Sequence, residues 1–169
     1  MPTTATTPEI ALWRQQTFAA GRVVAINVGG LTHQDSLVEP QPAGNRLNWI
    51  VGHLLWAYHE VLPLLGQEPV MDPALLKRYA RGGRPLTDPA QALDFQQMVD
   101  AWQVAVERVD AGLSKLAPEF LDRPAPSSPS GNPDETIRTL LTTMMFHQAY
   151  HAGQTAVLRR IAGKEGAIK

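Results

Sequence analysis

The segment FHQAYHAGQ, residues 146 to 154, carries His147 and His151 four positions apart, with Gln148 directly after the first. Residues four apart in an α-helix lie on one face, so both imidazoles can converge on one point. Two histidines at that spacing bind zinc in the H-E-x-x-H peptidase motif, where the glutamate is the general base. Gln148 holds the glutamate's place here, about 100° around the helix from His147. A neutral amide cannot take up a proton as a carboxylate does, so the peptidase mechanism is disfavoured. Leu140, Met144, His147, His151, Gln154, Leu158 and Ile161 follow steps of three and four and form a stripe that faces a core. Spacing alone leaves two readings of the pair: hydrogen-bonded core histidines, or metal ligands. Two core imidazoles need partners for their polar nitrogens, and a metal ion supplies one to each.

A catalytic ion needs a third protein ligand. His33 lies in the turn-rich stretch GGLTHQDSLVEPQPAG and reads as a solvated loop residue. His53 and His59 both belong to LNWIVGHLLWAYHEVL. His53 shares a stripe with Ile50, Ala57 and Val61 and so faces the core, whereas His59 sits about 120° away. His53 is therefore expected to join His147 and His151.

The elements that must position these residues are helical. A capping residue followed by proline recurs as a start signal. Thr7-Pro8 opens a segment to about Val28, and Asp72-Pro73 opens a short one through Tyr79. Asp88-Pro89 opens a long one to about Leu116, and Asn132-Pro133 opens the last, with Glu135 placed like the acid of a capping box. Another helix begins near Asn45, with Pro63 ending or kinking it and Gly66 as its C-cap. No stretch alternates long enough to read as a strand. The expected fold is all-α, one domain over residues 1–169: a four-helix bundle, up-down-down-up, with a crossover at about 66–88 joining helices two and three. In that topology His53, ~10 Å from the start of its helix, and His151, ~16 Å from the end of its own, lie at matching depth.

Bulk properties narrow the partners. The 169 residues contain no cysteine, which excludes disulfides, thiolate ligands and a cysteine nucleophile. A formal charge of −1 gives no electrostatic case for nucleic acid or an anionic membrane. No apolar run spans a membrane and no signal peptide is visible, so a soluble, cytoplasmic protein is expected. Charged residues make up only 18% of the chain, which leaves outer surface apolar enough for self-association.

The combination of Asn48, Gly52, His53 and Leu54 with His147, His151, Gly153, Gln154, Leu158, Arg159 and Arg160 resembles the DinB-like superfamily of metal-dependent enzymes. The match spans most of the chain in order and spacing. It implies a four-helix bundle with a three-histidine site at His53, His147 and His151, and a homodimer. Characterised relatives include S-transferases that use the thiols bacillithiol or mycothiol, and a mycothiol-dependent maleylpyruvate isomerase.

Three neutral imidazoles leave a divalent ion its full charge. It can then lower the pKa of bound water toward about 7 or hold a substrate thiol as thiolate. Nitrogen ligands suit zinc, nickel, iron(II) or copper, and zinc or nickel is expected. The leading reading is a thiol-dependent S-transferase acting on small electrophiles. The alternatives are a hydrolase using metal-bound hydroxide and a non-catalytic metal-binding stress-response dimer. Gln154 could orient a ligand, line the pocket, or merely end the stripe. Glu60 reaches a pocket only if the cavity extends its way, and is otherwise solvated. Tyr150 and Tyr58 are pocket or packing residues. Arg78, Arg81 and Arg84 could bind an anionic substrate or thiol cofactor at the mouth, or be solvated. Trp13, Trp49, Trp56 and Trp102 read as core or dimer anchors.

Overall fold

A computed structural model of the chain describes residues 7–83 and 85–168. Four long helices carry it: α1 (Pro8–Val28), α2 (Leu47–Val61), α3 (Phe95–Leu113) and α4 (Ile137–Ile161). Among the described residues there is no strand, only an isolated bridge between Pro124 and Thr136. No described helix is long and apolar enough to cross a membrane. α1 packs against α3 and α4, and α2 packs against the same two helices. Glu9 meets Arg138 near the starts of α1 and α4, and Asn27 donates to Thr155 at 2.9 Å near their ends.

Some start signals act as the sequence suggests. Thr7 accepts from the Ile10 N–H, with Pro8 in the first turn of α1. α2 begins at Leu47, two residues after the expected start, and ends at Val61. The chain then tightens into a 3₁₀ turn, Leu62–Leu65, that contains Pro63, and Gly66 closes it at φ 65°.

Two starts lie further along than the sequence suggests. Asp88 caps only a 3₁₀ turn, Pro89–Gln91, and α3 begins at Phe95 under the Asp94 carboxylate, which accepts from Gln97 N–H at 2.9 Å. The intervening backbone is claimed elsewhere. Leu93 N–H donates to the Tyr79 hydroxyl and Leu93 C=O accepts from Asn48, so neither can join a helical ladder. Similarly, Asn132 caps a turn at Asp134, and α4 begins at Ile137 under a reciprocal pair, Thr136 and Thr139. Glu135 is not a capping acid: it is buried and accepts from Ser128 and Ser130. His33 is not a solvated loop residue either. It opens a short helix, His33–Ser36, and its Nδ1 accepts from Phe95 N–H at 3.3 Å, tying that helix to the start of α3.

α2 is buried nearly all round, from Leu47 through Val61, as its almost unbroken apolar sequence requires. α3 and α4 cover one side, and the crossover, with Leu76, Tyr79 and Leu86 buried, covers much of the rest. Trp13, Trp49 and Trp102 are core residues, and Trp102 stacks on Tyr58 at 4.9 Å.

Candidate metal centre

His53 lies in the buried wall of α2. Trp49 and Trp56, one turn to either side of it in sequence, both stack on its ring, with centroids 4.6 and 5.5 Å away. Its Nδ1 is 2.7 Å from the Tyr79 carbonyl oxygen. A carbonyl can only accept, so Nδ1 carries the proton and Nε2 presents a lone pair. His151 is held the same way: its Nδ1 lies 2.6 Å from Gln154 Oε1, which leaves its Nε2 free. Gln154 sits one turn beyond His151 on α4, so the helix itself sets this contact.

His147 Nε2 lies 3.0 Å from His53 Nε2, and the three ring centroids are 4.5 to 5.0 Å apart. One ligand nitrogen from each histidine lies within 4.8 Å of the other two. Two nitrogens bound to one ion at about 2.0–2.1 Å stand ~2.8–3.4 Å apart for bond angles between square and tetrahedral. The 3.0 Å separation of His53 and His147 falls in that range. The residues therefore fit a divalent ion: three neutral nitrogen donors, two with their outer nitrogens already committed to oxygen acceptors.

Burial holds all three imidazoles in the neutral form a metal requires. Desolvation lowers the pKa of His53 and of His151, against the opposing hydrogen bonds to Tyr79 and Gln154. His147 falls to about 3, first through desolvation and then through its histidine neighbours and Arg81.

A cavity of about 610 Å³ lies against the three rings. Trp56, Phe146 and Tyr150 supply aromatic wall, and Arg81 with Ser127 and Ser128 supplies polar lining. The sequence pattern of the DinB superfamily matches residues 15–155, a span that contains all three histidines. The chain belongs to the DinB superfamily. A crystal structure of a conserved protein from Enterococcus faecalis shares the fold, with a TM-score of 0.69 at 17% identity over 91% of this chain and 97% of that one. No curated protein matches the chain.

In this DinB superfamily chain the other expected site residues separate. Glu60 and Tyr150 line the cavity, and both are exposed. Gln154 stands behind His151 instead of in the lining, and its amide donates to Tyr150 at 3.4 Å. Of the arginines, Arg81 lines the cavity and donates to the Pro129 carbonyl, whereas Arg78 turns to Gln91. Arg84 lies outside the described residues. The segment between α3 and α4, which contains the proline- and serine-rich run APEFLDRPAPSSPSGNP, reaches the site: Ser127, Ser128 and Pro129 form part of the cavity wall. Gln148, about 100° around α4 from His147, is buried as well. It is 1% exposed, because α4 packs against both α1 and α2 and so buries a wide arc that includes it. Ile161, the last member of the expected stripe, is 40% exposed at the end of α4. Sequence reasoning missed three features. The stacking of Trp49 and Trp56 on His53 was available from their i−4 and i+3 spacing. The contact from Tyr79 and the loop wall had no local signal.

Proposed function

We propose that this chain is a metal-dependent enzyme, a thiol-dependent S-transferase acting on small electrophiles, with zinc or nickel held by His53, His147 and His151. The observation that carries this reading is the cluster of three neutral imidazoles opening on a cavity of about 610 Å³. A cavity of that size accepts a small molecule, which favours catalysis over a sealed binding site. A divalent ion held there keeps its full charge and favours the thiolate form of a bound thiol. Trp56, Phe146 and Tyr150 would pack against an apolar electrophile. Arg81 would donate hydrogen bonds to the polar body of the thiol, bacillithiol or mycothiol being the class that family resemblance suggests. The test is a panel of such thiols with electrophilic acceptors, with and without added metal. No turnover for any pair in fully metallated protein would sink the proposal.

Glu60, a carboxylate on the same cavity wall, favours hydrolysis as the second reading, since it can take a proton from an attacking water. Turnover without added thiol, lost in Glu60→Gln, would select it. We further propose a homodimer through the α1/α4 face. Leu12 is 52% and Phe146 73% exposed there, Leu12 one turn before Gln16 on the rim and Phe146 in the wall of a groove of about 660 Å³ that Ala19, Ala149 and Gly153 also line. Bulky ridges beside a small-residue groove suit a second copy packed face to face. Leu12→Arg is expected to give a folded monomer in sedimentation analysis, and a wild type that already sediments as a monomer would refute the dimer.

A further inference from the structure

Tyr79 stands on the crossover, outside the three-histidine group, and is fully buried. Its hydroxyl donates to Asn48 Oδ1 and accepts from Leu93 N–H, both at 2.9 Å. Its carbonyl accepts the Nδ1 proton of His53 at 2.7 Å. Its ring lies flush on Gly52, where a Cβ would come within 2.4 Å of Cδ1 and 2.5 Å of Cγ. Asn48, Gly52 and His53 thus all meet one residue that lies 26 positions beyond His53 in the chain. Each contact controls something different. Asn48 and Leu93 pin the far end of the side chain, Gly52 seats the ring, and the carbonyl is then held against the imidazole.

The geometry points to Tyr79 as a positioning residue for the metal centre: its anchored side chain fixes the carbonyl that sets the tautomer and orientation of His53. The inference rests on the reading of the three histidines as metal ligands. A neutral imidazole carries its proton on either nitrogen, and only the Nδ1–H form offers Nε2 to the site. A partner that selects this form makes the ligand more basic and holds its ring in place, and losing such a partner typically costs about 10–100-fold in metal affinity. His151 takes its equivalent partner, Gln154, from its own helix. His53 takes its partner from another segment, so the crossover must dock correctly before this ligand is set. Glycine at 52 is needed for that docking, since the ring occupies the volume of a side chain.

The test uses the full chain with cobalt(II) as the probe metal, and compares Tyr79→Phe, Gly52→Ala and a control, Tyr58→Phe. Tyr58 is an equally buried tyrosine of α2 that stacks on Trp102, away from the cavity lining. Cobalt affinity is measured by titration, and the His53 tautomer of metal-free protein by long-range ¹⁵N–¹H NMR. Wild type is expected to hold the Nδ1–H tautomer. Tyr79→Phe and Gly52→Ala are expected to bind cobalt about 10-fold more weakly, with the tautomer mixed in Gly52→Ala, and Tyr58→Phe to match wild type. A purely structural role would lower melting temperatures and leave the affinity and tautomer of the folded protein unchanged, which would overturn the inference. Should Gly52→Ala not fold, Tyr79→Phe, which keeps the ring, decides the matter by its affinity. A wild type that takes up no cobalt overturns the metal reading together with this one. Wild-type binding with unaltered variants overturns this one alone.

Discussion

At the scale of single residues, the site is three imidazoles, and outer hydrogen bonds decide which nitrogen of His53 and of His151 faces the cavity. Gln154 performs that task for His151. Gln154→Leu is therefore expected to weaken metal binding by about 10-fold, and His53→Ala to abolish stoichiometric binding, both read by calorimetric titration. Acidity tests the same residues. His147 is held near 3 by burial, against an ordinary value of 6.5. As pH falls through that window, the unfolded chain takes up a proton at this position that the folded chain refuses. Stability therefore rises with pH between about 3 and 6.5 and is complete above that range. His53 and His151 shift in the same direction. Metal-free protein is expected to melt at a lower temperature at pH 5 than at pH 7, and His147→Leu to show a shallower fall. A melting temperature that does not change over this range would contradict the buried neutral state.

At the scale of elements, the legible features were those encoded locally. The apolar run of α2 and its glycine stop could be read directly, as could the first cap of α1. The starts of α3 and α4 could not, because Asp88 and Asn132 are real caps of short turns. Whether a cap leads into a long helix depends on what the next backbone groups meet. Leu93 meets Tyr79 and Asn48, and the Glu135 carbonyl meets Ala125 N–H at 2.8 Å. Close approach of elements also fixes residue choice. At Gly112 of α3 an added Cβ would stand 2.5 Å from Leu65 Cβ and 2.9 Å from its carbonyl oxygen. Alanine favours a free helix by roughly 0.5–1 kcal/mol over glycine. Gly112→Ala is nevertheless expected to destabilise by about 1–3 kcal/mol, since α3 and the turn after α2 must separate. Urea unfolding gives the sign directly, and a stabilised variant would show that this contact is slack.

At the scale of the whole molecule, the candidate centre joins α2 to α4 and leans on the crossover through Tyr79, so metal binding should couple to global stability. Metal at about 100 times its dissociation constant adds ~2.7 kcal/mol. For a chain of this size that corresponds to about 5–10 °C in melting temperature. Differential scanning with and without a chelator measures it, and the rise should vanish in His53→Ala. An all-helical chain and the convergence of three histidines were legible from spacing alone, because helical periodicity and apolar patterning are local properties. Packing of distant segments produced the rest. It turned Gln148 inward, brought Ser127–Pro129 to the cavity, and set the Tyr79 carbonyl against His53. Those outcomes depend on which segments distant in the chain pack together, and helical spacing carries no record of such neighbours.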